Sequence, residues 1–211
     1  DLLTLRALQA LESADVVLAD ALVSDEIRRL IPARARCVEI GKRGHRPSTS
    51  QDFINRLMAR LASRGAVVVR LKGGDPSVFG RAGEERAFLE QRGVSVEVVP
   101  GITTASAAAA QFSFSLTTRG EARRVIFATG RTSQGAQSDW RAAAEPDTTL
   151  CVYMGCADFA AISETLIAAG RDPETPAIAA IDVEREGARL IRATLATLNT
   201  ALAAEKTVAP V

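Results

Sequence analysis

The chain has 211 residues, enough for one ordinary domain or for two compact α/β halves, with 26 Lys and Arg against 25 Asp and Glu. A net charge of +1 excludes a surface built as a whole for nucleic acid or for a membrane face, and apolar runs such as 16–19 and 105–110 are far too short to span a bilayer. Cys37, Cys151 and Cys156 cannot all pair and form no Cys-x-x-Cys, which fits a reducing cytoplasm, and the single His45 leaves no tetrahedral metal spacing, so no protein-bound metal is expected.

Leu2, Leu5, Leu8 and Leu11 recur at helical spacing and predict an opening helix, followed by a buried strand over 16–19. Asp20 comes directly after that strand. Ser24-Asp25-Glu26 caps a short helix ending before Pro32, and a second strand is expected at 37–40. After the basic loop 41–47, Ser48-Thr49-Ser50-Gln51 opens a helix carrying Phe53, Ile54, Leu57, Met58 and Leu61, closed by Gly65. A β-branched strand over 66–71 ends at Lys72 and the turn Gly73-Gly74-Asp75-Pro76. A helix over 83–92, a strand over 94–99, the Pro100-Gly101 turn and a helix of very small residues over 105–110 complete this half. Such alternation predicts a mostly parallel sheet covered by helices, with ligands beyond the carboxyl ends of its strands, where Asp20, Gly41, Gly73 and Pro100 fall.

The texture changes near 115–119, so we expect two α/β domains, 1–116 and 117–211. The second is expected to hold strands at 124–129, 149–153, 177–181 and 190–194 in a mixed sheet, with helices over 157–169 and 195–204.

Four features carry chemistry, each with a plainer reading beside it. Gly73-Gly74-Asp75-Pro76 allows positive φ and close backbone approach next to a hydrogen-bond-accepting carboxylate, or is a simple strand-to-helix turn. Gly41-Lys42-Arg43-Gly44-His45-Arg46 is a solvated loop or an anion site, and Arg119, Arg123 and Arg124 form a second basic cluster. In Pro100-Gly101-Ile102-Thr103-Thr104 a threonine is a helix cap, or the helix N-terminus holds a polar ligand group with free N–H donors. Tyr153-Met154-Gly155 places a methionine in the core or against a flat ring. Gly-x-Gly-x-x-Gly is absent, and Lys42 lacks the surrounding Gly and Ser or Thr of a P-loop, because Arg36 and Arg43 stand there.

Together, Val23-Ser24-Asp25-Glu26-Ile27, Gly41-Lys42-Arg43, Arg70-Leu71-Lys72-Gly73-Gly74-Asp75-Pro76, Phe79-Gly80-Arg81, Gly83-Glu84-Glu85, Val98-Val99-Pro100-Gly101-Ile102-Thr103, Leu116-Thr117 and Tyr153-Met154-Gly155 resemble the uroporphyrinogen-III C-methyltransferases of the tetrapyrrole methylase family. The resemblance runs through essentially the whole chain. It implies two α/β domains with the active-site cleft between them, a homodimer, and transfer of two methyl groups from S-adenosylmethionine to uroporphyrinogen III. The products are S-adenosylhomocysteine and precorrin-2, on the way to sirohaem or cobalamin. A polycarboxylate substrate gives the basic clusters of a near-neutral chain a purpose.

Position by position, the resemblance implies cofactor contacts at Gly73, Gly74, Asp75, Val78, Thr103, Thr104, Met154 and Val183, the last standing where the family has glycine. Asp20 matches a proposed proton acceptor and Lys42 a proposed donor, with Arg43, Arg46 and Arg119 meeting substrate carboxylates. An aspartate is a weak base near neutrality, so that role asks for a special environment or a strongly acidified substrate. Ala19, Ala21 and Thr118 depart from the family's larger residues or histidine. A first strand and a cofactor loop are expected before Asp1, and a last strand after Pro210. The alternatives are a sibling methylase acting on a later corrin intermediate, or a cofactor-binding homologue with impaired catalysis. A fused sirohaem synthase would need an NAD-dependent module that these residues do not contain.

Overall fold

The computed structural model describes residues 2–41, 49–130 and 140–205. The chain packs as two compact units that divide after Thr104.

In the first unit, α1 (Leu5–Ser13), β1 (Val16–Ala19), α2 (Asp25–Arg29), β2 (Arg36–Glu39), α3 (Gln51–Ala62), β3 (Val68–Leu71) and α4 (Ala82–Glu90) alternate along the chain. The opening helix starts at Leu5 and not at Leu2, because the Thr4 hydroxyl accepts the Ala7 N–H and sets the cap. Ser24 and Ser50 cap α2 and α3 in the same way, from Ile27 and Phe53. Asp25 and Glu26 in the first turn of α2, with Arg28 and Arg29 in its last, complement the helix dipole.

The three strands form a parallel sheet in the order β2-β1-β3, with Val16 opposite both Arg36 and Val68. All four residues of β1 are buried, and alternate ones enter different cores. Val17 and Ala19 pack with Leu11, Ala14, Val23 and Leu71, whereas Val16 and Leu18 pack with Ile40, Ile54, Met58 and Leu89. Cover on both faces explains why β1 reads as an uninterrupted apolar run.

The expected strand over 94–99 is not observed. Val94 and Val96 pack on the second of these cores, and Glu97 pairs with Arg6 at 2.6 Å, yet the segment makes no ladder with another strand among the described residues. β-branched alternation supplies the propensity to extend but not the neighbour that turns extended chain into sheet.

The second unit holds α5 (Thr104–Gln111) from Ala105 onward, then β4 (Arg124–Thr129), β5 (Thr148–Tyr153), α6 (Phe159–Ala168), β6 (Pro176–Ile181), β7 (Arg189–Thr194) and α7 (Leu198–Ala204). The expected single mixed sheet resolves into two pairs: β4 and β5 run parallel, and β6 and β7 antiparallel. The short 182–188 connection forces the antiparallel pair, while the long path from β4 to β5 permits a parallel return. Trp140, Ala143, Ala144, Ile162, Leu166 and Leu195 make one core of this unit, and Ala179, Leu198 and Leu202 a smaller one.

The division falls at 104/105 and not at 116/117, because α5 is fastened to the second unit. The Ala105 N–H donates to the Tyr153 phenol oxygen at 3.1 Å, and the Glu184 N–H donates to Gln111 Oε1 at 3.0 Å. Among the described residues, no helix is long and apolar enough to cross a membrane.

Candidate functional site

The carboxyl ends of β1 and β3 deliver Asp20 and the Gly73-Gly74-Asp75 turn. Gly74 has φ +70, a conformation that an L side chain rarely adopts. A Cβ on it would stand 3.8 Å from Ile102 O and from Thr104 Oγ1, and 3.9 Å from Thr103 Cα. The open space above Gly74 is therefore bordered by the two threonines. Gly101 is tighter still, since a Cβ there would lie 2.2 Å from Gly74 O.

Asp75 locks these two segments together. Its Oδ1 accepts the Ser77 N–H at 2.8 Å and the Ser77 hydroxyl, and its Oδ2 accepts the Gly101 N–H at 3.0 Å. Burial alone would push this carboxyl up, but the hydrogen bonds from Ser77 and Gly101 outweigh it and hold the group below the usual carboxylate range. Asp75, which sequence reasoning offered to a ligand's hydroxyls or amine, thus first serves the protein's own backbone. The half-buried Val78 closes the same turn by donating its N–H to Asp75 O at 3.1 Å. A left-handed glycine, exposed backbone and two neighbouring threonines border a space that suits a polar ligand.

Asp20 is tied to a charged cluster. Arg70 Nη2 donates to Asp20 Oδ2 at 3.0 Å, and Arg70 Nη1 donates to the carbonyls of Leu18 and Leu71, both at 3.2 Å. Arg70 Nε reaches Glu85 Oε1 at 3.3 Å, and Lys72 Nζ reaches the two Glu85 oxygens at 3.1 and 3.2 Å. Gln51 Nε2 adds a third donor to Glu85 at 2.9 Å, and Glu85 is only 5% exposed. Burial pushes Lys72 down, helped by the Arg70 charge and opposed by Glu85. Sequence reasoning missed this cluster. The available signal was two cations flanking the end of a buried strand, which need carboxylates near them.

In the second unit, Met154 follows β5 with φ +55 and is 51% exposed, so it is not a core residue. Val183 is half-buried between Asp182 and Glu184, whose φ values are +51 and +59, in the β6–β7 turn. One donor expected to be free at the N-terminus of α5, the Ala105 N–H, is taken by Tyr153.

The second basic cluster is reduced. Arg123 pairs with Asp147 at 3.1 Å, and Arg124 pairs with Asp147 and, at 3.8 Å, with Glu145. Arg119 stays exposed at the tip of a turn closed by the Thr118–Ala122 bridge. Lys42, Arg43 and Arg46 lie outside the described residues. Among those described, no group of three His, Cys, Asp or Glu is placed to hold a metal ion.

Residues 1–199 match the family model described as tetrapyrrole (corrin/porphyrin) methylases. The chain is 42% identical, over its whole length and 74% of the relative's, to a protein of Paracoccus denitrificans named uroporphyrinogen-III C-methyltransferase. It is 44% identical over 202 residues to the chloroplastic S-adenosyl-L-methionine-dependent uroporphyrinogen III methyltransferase of Arabidopsis thaliana, covering 94% of this chain but 54% of that one. A crystal structure of the Thermus thermophilus uroporphyrin-III C-methyl transferase complexed with S-adenyl homocysteine matches with a TM-score of 0.81 and 38% identity, over 95% of this chain and 85% of that one. A match this long takes in both units, the glycine turn and the strand ends that carry Asp20 and Met154, and the chain belongs to the tetrapyrrole (corrin/porphyrin) methylase family.

Proposed function

We propose that the chain methylates carbons of uroporphyrinogen III with S-adenosylmethionine, twice per substrate, to give precorrin-2 for sirohaem or cobalamin. The observation that carries this reading is the Gly74–Gly101 cradle locked by Asp75, in a chain that aligns end to end with a relative bearing that activity in its name.

Bound S-adenosylmethionine supplies an already activated methyl group, so the protein's task is alignment. Good alignment is worth roughly 7 to 11 kcal/mol, against about 10²- to 10⁴-fold for a placed proton-transfer group. Gly73, Gly74 and Asp75 give the cofactor a close backbone wall, and Val78, Thr103 and Thr104 border it. Met154 and the backbone of Val183 are further cofactor contacts. Asp20 and Lys42 act on the pyrrole that accepts the methyl, and Arg43, Arg46 and Arg119 serve the substrate carboxylates. The enzyme works as a cytoplasmic homodimer and releases S-adenosylhomocysteine.

The test is to incubate the protein anaerobically with S-adenosylmethionine and uroporphyrinogen III and to follow product masses. A doubly methylated tetrapyrrole supports the reading. Binding of S-adenosylhomocysteine without methyl transfer to this acceptor overturns it, in favour of a later corrin substrate or a cofactor-binding homologue.

A further inference from the structure

We infer that Arg70 is the positioning residue for Asp20, fixing the place of that carboxylate, with Glu85 and Lys72 as the buttress behind it. The inference rests on the methyltransferase reading above and deepens it. It stands on three observations.

The first is register. Leu18 and Arg70 are paired across β1 and β3, and the Asp20 N–H continues the ladder to Leu71 O at 3.0 Å. Arg70 therefore lies beside the strand end from which Asp20 emerges, and its guanidinium grips the Leu18 and Leu71 carbonyls as well as Asp20 Oδ2. The planar fork cannot turn without losing several bonds at once. It takes one carboxylate oxygen of Asp20 and orients the other.

The second is charge balance. Arg70 and Lys72 are two largely buried cations, and Glu85 is one buried anion. Asp20 completes the neutral set from the cluster's more exposed edge. Two largely buried cations on a single carboxylate would leave one charge uncompensated, and Asp20 supplies the second anion.

The third is the remaining surroundings. From α2, Arg28 donates to the Asp20 carbonyl at 2.6 Å while pairing with Glu39 at 3.2 Å and lying 3.9 Å from Asp25. Another cation thus faces the Asp20 backbone. A methylated pyrrole becomes cationic when its π pair forms the new C–C bond and the C–S pair leaves with sulfur. It returns to neutrality when a carbon-bound proton is lost to solvent. An anion held in one place beside that ring lowers the energy of the charged stage.

The test is a double-mutant cycle on kcat with Asp20→Asn, Arg70→Met and the combined variant, with KM and S-adenosylhomocysteine affinity measured for each. Both single variants should lose tenfold or more in kcat, with cofactor affinity within about twofold. Arg70→Met should cost nothing further once Asp20 is Asn. Arg70→Lys should recover part of the rate. Additive losses, or an Arg70→Met enzyme with wild-type kcat but a lower melting temperature, overturn the inference and leave the methyltransferase reading standing. A wild-type protein that transfers no methyl overturns both. If Arg70→Met does not fold, the same cycle run with Arg70→Lys decides.

Discussion

The Gly101 N–H donates to Asp75 Oδ2 at 3.0 Å, while a Cβ on Gly101 would lie 2.2 Å from the carbonyl oxygen of Gly74. The backbone of one segment is thus seated directly on the other. Gly101→Ala has to push the two apart, and overpacking of this kind costs about 1 to 3 kcal/mol. We expect its affinity for S-adenosylhomocysteine, measured by calorimetry, to fall at least tenfold. Gly73→Ala, where the nearest atom to the new Cβ is Leu22 Cβ at 3.5 Å, should stay within a few-fold. Equal affinities for the two variants would show that the cradle tolerates the displacement.

Gly74→Val should harm catalysis more than Asp20→Ala. Valine would have to adopt φ +70 and would fill the space bordered by Thr103 and Thr104, removing alignment altogether. Asp20→Ala removes one charged group at the strand end and leaves the cofactor seat intact. Single-turnover rates at saturating cofactor rank the two, and comparable rates for wild type and Gly74→Val would reverse the ranking.

Acid should act partly through Asp75. Its folded form is held below the ordinary range of about 3.9 by Ser77 and Gly101, against the pull of burial, so it binds protons less readily folded than unfolded. Its contribution to stability is therefore present above that range and lost as the pH falls through the folded value. Urea unfolding should find Asp75→Asn less stable than wild type at pH 7, with the gap closing towards pH 3. A gap that stays constant with pH would assign the loss to geometry alone.

Thiol chemistry should separate the cysteines. Burial pushes Cys151 up to about 11, whereas Cys37 and Cys156 are exposed. At pH 8 a disulfide reagent should modify Cys37 and Cys156 rapidly and reach Cys151 only on unfolding. Mass mapping of the labelled sites checks this, and fast labelling of Cys151 in the native protein would contradict it.

Local features were legible in the residues. β1 at Val16–Ala19 and β4 at Arg124–Thr129 have the bounds their apolar runs predict, and Ser24 and Ser50 announce the helices they cap. The glycine turn was visible because only glycine repeats that way at a strand end. What escaped depends on partners distant in sequence. Nothing near Arg124 says that Asp147 occupies it, and nothing near Asp20 says that Arg70 holds it while Glu85 holds Arg70. The segment 94–99 fails for the same reason in reverse, as its pattern is that of a strand and its ladder partner is absent among the described residues. Lys42, Arg43 and Arg46 are legible as cations and lie outside the described residues.

Trp140, buried in a core of the second unit, and Tyr153, whose phenol oxygen receives the Ala105 N–H, are the chain's one tryptophan and one tyrosine. Every chromophore absorbing near 280 nm therefore sits in residues 105–211, and the unit bearing the glycine turn is optically silent there. Indole fluorescence reports the melting of one half alone, while the far-ultraviolet dichroism of the helices reports both. Overlaying the two curves reads out directly whether the halves melt as one cooperative body or in sequence.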